Sequence, residues 1–162
     1  DLVTAAIAAD PGALPPLPEL IRTATESTTG SGDDGAQHFA IYVALWLASA
    51  DDPDLAADLH DSDAELIDAY AGLYDQAARA YRLEWIPPFG PQLFATMVAA
   101  LTDGLTVRAS SQGDITSRHL LRRVEGGHDV PWSVLASGVF ALVEAFTRPR
   151  SDPDAGSSRN GD

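Results

Sequence analysis

The 162-residue sequence contains no cysteine and no lysine. Without cysteine there is no disulfide framework, no thiolate nucleophile and no Cys-based metal site, which suits a reducing cytoplasm, the expected location. Without lysine, all ten basic residues are arginine; against 24 acids they leave a formal net charge of -14. Such a chain repels phosphate backbones, so no direct nucleic-acid binding is expected from these residues. Long apolar runs are missing as well. The longest, Phe39 to Ala50, falls well short of the roughly 20 residues that a membrane span needs. No basic-then-apolar leader opens the chain, so neither a signal peptide nor a membrane partner is expected.

Catalytic signatures are equally scarce. There is no nucleophile elbow and no phosphate loop, and His38, His60, His119 and His128 stand far apart with no ligand spacing. Gly30-Ser31-Gly32-Asp33-Asp34-Gly35 matches the dinucleotide fingerprint formally. However, no apolar strand precedes it, and two aspartates stand where a pyrophosphate needs bare amides. It reads instead as a loop over 26–35, with Asp34 and Gln37 as a capping box for the next helix. Asp61, Asp63 and Glu65 imitate the start of a calcium loop, but Leu66 takes the glycine position and Gly72 the glutamate position. These acids, with Asp51, Asp52, Asp54 and Asp58, read as helix caps and a solvated face. The expectation is no enzyme, no metal and no cofactor.

What the sequence does contain is helical periodicity. Residues 1–9 read as a short helix stopped by Pro11-Gly12, and Leu17, Leu20, Ile21 and Ala24 carry a second. Ala36–Ala50 is apolar round its whole circumference, the mark of a buried central helix. Asp52 and Pro53 are cap and first residue of a short helix, and Ser62 with Glu65 open a long one to about Leu83. Pro91–Arg108 has a bulky arc of Leu93, Phe94, Met97, Val98, Leu101 and Leu105 opposite a small one of Ala95, Ala99, Thr102 and Thr106.

Asp103 is the only acid of that helix. Asp114 is read as the cap of a modest helix through Val124, ended by Gly126-Gly127. Asp129-Val130-Pro131 then start a last helix to about Thr147. Its bulky arc is Trp132, Leu135, Val139, Leu142, Val143 and Phe146, and its small face is Val134, Gly138, Ala141 and Ala145. Two helices with small faces predict either tight packing inside the chain or a two-fold interface that repeats one patch on both subunits. No strand and no repeat is found. The expected fold is all-α, one domain over 1–148 followed by a disordered tail over 149–162.

The order of these elements resembles the C-terminal effector domain of tetracycline-repressor-like (TetR family) transcriptional regulators. Asp1-Leu2-Val3 is similar to the start of that family's fourth helix, and Ala36–Ala50 to the fifth. Asp52-Pro53-Asp54-Leu55 resembles the turn that follows, Ser62–Leu83 the seventh helix, Pro91–Arg108 the eighth and Pro131–Thr147 the last. The resemblance implies a regulator, with repression the expected direction, that senses an unidentified small-molecule effector. The implied ligand-binding residues are Tyr42, Trp46, Tyr70, Tyr74, Phe94 and Met97. It also implies a homodimer in which the last two long helices form an intersubunit four-helix bundle through Ala95, Ala99, Thr102, Thr106, Val134, Gly138, Ala141 and Ala145. DNA contact would come from an N-terminal helix-turn-helix absent from these residues. The segment Ser117–Val124 looks like an insertion without an assigned role. The residues alone leave open a stand-alone helical dimerisation module that takes no ligand.

Overall fold

The computed structural model describes residues 14–29, 32–112, 119–123 and 129–151. The expected helix over 1–9, the Gly126-Gly127 stop and the tail beyond residue 151 lie outside the described residues. Five α-helices carry most of the described chain: α1 (Leu17–Thr29), α2 (Gly32–Ala48), α3 (Pro53–Ala80), α4 (Pro91–Gln112) and α5 (Val134–Phe146). Two short antiparallel strand pairs accompany them. β1 (Leu83–Trp85) pairs with β4 (Thr147–Pro149), and β2 (His119–Arg123) pairs with β3 (Asp129–Ser133).

The start of α3 follows the sequence closely. Asp52 is its N-cap, and one carboxylate oxygen accepts the N–H groups of Asp54 and Leu55 at 3.1 Å each. Pro53 occupies the first turn, where its missing N–H costs nothing. The helix then runs unbroken for 28 residues, about 42 Å at 1.5 Å per residue. The expected second start at Ser62 is therefore an interior turn. No glycine or proline interrupts Asp54–Ala71, and its alanines and leucines favour continuation over a local cap. After Ala80 the chain reverses through Arg82, whose φ of 54° is in the left-handed region. α4 then returns antiparallel along α3: the Tyr74 and Phe94 rings are 4.9 Å apart at one end, and Asp103 senses Asp63 towards the other.

The core is organised around α5. Leu135, Ala136, Val139, Phe140 and Phe146 of that helix are buried together with Trp132, Ile21 of α1, and Phe94 and Leu105 of α4. Ser133 caps α5, its hydroxyl oxygen accepting the Ala136 N–H at 3.0 Å. The helix thus begins at Val134 rather than at the expected Pro131. Residues 129–133 pair instead with 119–123, so the segment expected to be a helix through Val124 contains a strand. Apolar Leu120-Leu121 and Val130-Pro131-Trp132 flank a Gly-Gly dipeptide, a pattern that a hairpin accommodates as readily as two helix ends.

Two other expectations change. α1 extends to Thr29, into the residues expected to form a loop, and the following helix begins at Gly32, ahead of its expected cap Asp34. α2 is not a buried central helix: Ile41 is 51% exposed, Trp46 45% and Leu47 73%. α5 holds the central place, and α2 lies outside it.

The β1–β4 pair ties the two ends of the core together. Leu83 stands opposite Pro149, the Ile86 N–H donates to the Phe146 carbonyl at 2.8 Å, and the Arg150 N–H donates to the Arg82 carbonyl at 2.8 Å. Arg148 adds an ion pair to Glu84 at 2.6 Å. Farther along, the Tyr81 hydroxyl donates to the Pro15 carbonyl at 2.6 Å, pinning the segment that leads into α1.

Candidate functional site

α2 places Phe39, Tyr42, Val43, Trp46 and Leu47 at successive three- and four-residue steps, so they share one face of the helix. Among the described residues, that face does not close onto a neighbour. It lines a groove of about 350 Å³, to which α4 contributes Asp103. The Tyr42 and Trp46 rings meet edge to face, 6.3 Å apart, and hold each other in place. The Tyr42 hydroxyl donates a long, weak hydrogen bond of 3.4 Å to Asp63 of α3. α2, α3 and α4 thus each supply a polar or aromatic group to the same region.

Asp103 supplies the electrostatics. Its side chain reaches solvent, yet the apolar surroundings remove part of its hydration and push its carboxyl above the ordinary carboxylate range. The negative charge of Asp63 adds to that shift. The arrangement is an aromatic and aliphatic wall facing carboxylates. By its chemistry such a surface suits a small amphipathic molecule with one polar end.

The six ligand-binding residues expected from the sequence fall into separate places. Tyr42 and Trp46 line the groove. Tyr70, Tyr74 and Phe94 form an aromatic column that runs from the surface into the core. The Tyr70 and Tyr74 rings stack at 6.2 Å, and Phe94 continues to Trp85 at 5.5 Å and Phe146 at 6.1 Å. Phe94 is 3% exposed, and burial, followed by the charge of Tyr70, pushes the Tyr74 hydroxyl up to about 12. Met97 is exposed on α4 and is not among the groove residues. Phe39, Val43, Leu47 and Asp103 also line the groove, outside the six residues expected from the sequence. Their signals were the stripe in α2 and the lone acid of α4.

The small-faced residues also divide. Ala95 is buried within the chain, and a Cβ on Gly138 would meet Leu101 of the same chain at 2.6 Å. Ala99, Thr102, Thr106 and Val134 are half-buried, while Ala141 and Ala145 are exposed. The hydroxyls of Thr102 and Thr106 donate to the carbonyls of Val98 and Thr102, both at 2.9 Å. Their polar groups are thereby satisfied within the helix.

Among the described residues, no helix is long and apolar enough to cross a membrane. Residues 19–126 match the family model described as BetI-type transcriptional repressor, C-terminal. The match covers two thirds of the chain and ends before β3 and α5. No curated protein and no solved structure matches.

Proposed function

The chain belongs to the family of BetI-type transcriptional repressor C-terminal domains, and on that premise we propose that it is the effector-sensing and dimerisation part of a TetR-like regulator. The observation that carries the sensing role is the open apolar face of α2 above Asp103. Among the described residues nothing covers that face, as neighbours would on a helix packed for stability alone.

In this reading a small molecule enters between α2 and α4 and is gripped by Tyr42 and Trp46. Its binding changes the positions of α2 and α4 relative to the core. Two copies associate through α4 and α5, using the small residues left uncovered: Ala99, Thr102, Thr106, Val134, Ala141 and Ala145. The Leu101–Gly138 approach holds those two helices side by side, which supports their joining a four-helix bundle with a second copy. DNA is contacted by a headpiece outside these 162 residues. The half-sites of a two-fold operator lie about 34–36 Å apart, so an altered spacing of two headpieces disfavours simultaneous docking. The effector acts only to the extent that it binds one state better than the other.

Native mass spectrometry of the purified chain, paired with a titration of the neutral dye Nile red, tests the proposal. The expected result is a dimer of the 17.1 kDa chain and a blue-shifted dye emission that Trp46→Glu abolishes without dissociating the dimer. A monomer throughout the micromolar range overturns the interface. Dye binding that is indifferent to Trp46→Glu overturns the groove.

A further inference from the structure

We propose that the outer face of α2, opposite the groove, docks an amphipathic helix of a partner protein whose apolar stripe is bracketed at both ends by basic residues. The inference goes beyond the effector reading and does not depend on it.

At helical spacing Ala40, Ile41, Ala44, Leu45 and Ala48 fall on one side of α2, turned away from Tyr42, Val43 and Trp46. All five are exposed, Ile41 to 51% and Leu45 to 40%. Among the described residues, that side is left open to solvent. The stretch from Phe39 to Ala50 holds neither acid nor base, yet acids stand at both of its ends. Asp33 and Asp34 lie in the first turn of α2, and the exposed Asp51, Asp52 and Asp54 follow its last.

The shape of this surface selects the form of its occupant. A convex helix face encloses no small molecule. An extended peptide would find no free backbone N–H or C=O along the middle of α2 to pair with. A second helix fits. The alanine row at 40, 44 and 48 leaves a shallow channel beside the Ile41–Leu45 row, into which the ridge of a helix crossing at about 20° settles. Charge then sets the sign of the partner. With a net charge of -14, the chain repels nucleic acid and anionic membrane alike. A second copy is disfavoured too: laid along α2 in either direction, it brings its own end aspartates onto these. A basic-ended helix does the reverse, and its basic groups must lie about five turns apart to reach both acidic ends.

The test titrates three fluorescein-labelled peptides of roughly 22 residues, long enough to hold a helix, into the full chain and follows fluorescence anisotropy. All carry the same leucine and alanine stripe, and their end turns hold arginines, glutamines or glutamates. The arginine-ended peptide is expected to bind roughly tenfold tighter than the glutamine-ended one, a factor within reach of a few exposed ion pairs. That advantage should vanish in about 1 M salt, and the glutamate-ended peptide should not bind. Ile41→Gln and Leu45→Gln should each weaken binding about tenfold. Asp51→Asn with Asp54→Asn should shrink the arginine preference, whereas Trp46→Ala, on the groove side, should leave affinity and preference unchanged. Each variant should keep the circular dichroism of the parent. Equal affinity for the arginine and glutamine peptides, or binding indifferent to Ile41→Gln and Leu45→Gln, overturns the inference. Loss of binding in Trp46→Ala also overturns it, by placing the peptide in the groove, and so does a failure of all three peptides to bind. Self-association of the chain in the ultracentrifuge that Ile41→Gln and Leu45→Gln abolish would give the face to a second copy and overturn it equally.

Discussion

Trp132 and Trp46 are the same side chain in opposite settings. Trp132 is 1% exposed, with Phe140 edge to face at 5.5 Å and the apolar side of α5 around it. Trp46 is 45% exposed on a helix whose neighbours Ile41 and Leu47 are more open still. Around α5 the apolar residues are consumed by the fold, and in α2 they remain available. Apolar content alone therefore does not identify a core. A helix closed over by its neighbours stabilises the chain, whereas one packed on only part of its circumference leaves apolar surface for another molecule.

Replacing each tryptophan in turn gives the largest expected contrast. Trp132→Ala should lower the free energy of unfolding by about 3–5 kcal/mol, since it empties a large site in a closed core. Trp46→Ala should cost under about 1 kcal/mol and act on binding instead. Urea midpoints of the two variants, measured side by side with the parent, decide the matter. Equal losses would mean that the α2 face is core after all and would break the comparison.

A smaller effect tests whether the α4–α5 contact belongs to one chain. A Cβ at residue 138 would sit 2.6 Å from the Leu101 Cδ2. That methyl is the end of a flexible side chain and has room to swing, so Gly138→Ala costs some overpacking, about 1–3 kcal/mol. The better helix propensity of alanine offsets about 1 kcal/mol of it. The net expectation is a loss of about 1 kcal/mol, relieved in part when combined with Leu101→Ala. The loss should not vary with protein concentration, because both residues lie in the same chain. A loss that grows on dilution would instead place Gly138 between subunits.

The sequence made the helical class legible because period is a local property. The Asp52–Pro53 start of α3 and the bulky arc of α5 were visible for the same reason. The β2–β3 pair was not, since strands of five residues carry too few repeats to separate period two from a helix end. Nor was the exposure of α2. A uniformly apolar helix does not say which neighbours exist to cover it, and α5 took the central place instead. Tyr42 and Trp46 stand out in the sequence as aromatic residues, and both line the groove. Tyr70, Tyr74 and Phe94 stand out equally but are joined into the aromatic column at the core. Asp103 was visible as the lone acid of its helix, but its role depends on which helix faces it, and that is decided by tertiary packing.

The smallest effect concerns that acid. Burial beside the groove, and then the charge of Asp63, hold the Asp103 carboxyl above its ordinary range. The folded chain therefore binds this proton more tightly than the unfolded chain. The associated stability is fully present below the unfolded carboxylate value, about 3.9, and is lost as pH rises through the higher folded value. At neutral pH the ionised side chain is a mild liability that Asp103→Asn removes, and the two residues have similar helix propensity. Because Asp103 is open to solvent, the gain at pH 7 is expected to stay below about 0.5 kcal/mol and to vanish near pH 4. Urea midpoints of parent and variant at the two pH values measure it. The core around α5 should show no counterpart, since its buried polar groups, Thr25 and Ser133, do not titrate in this range. A variant less stable than the parent at pH 7 would show that the Asp103 carboxylate holds α2 against α4 by accepting a hydrogen bond, and the groove would then be a seam of the fold rather than a site kept open.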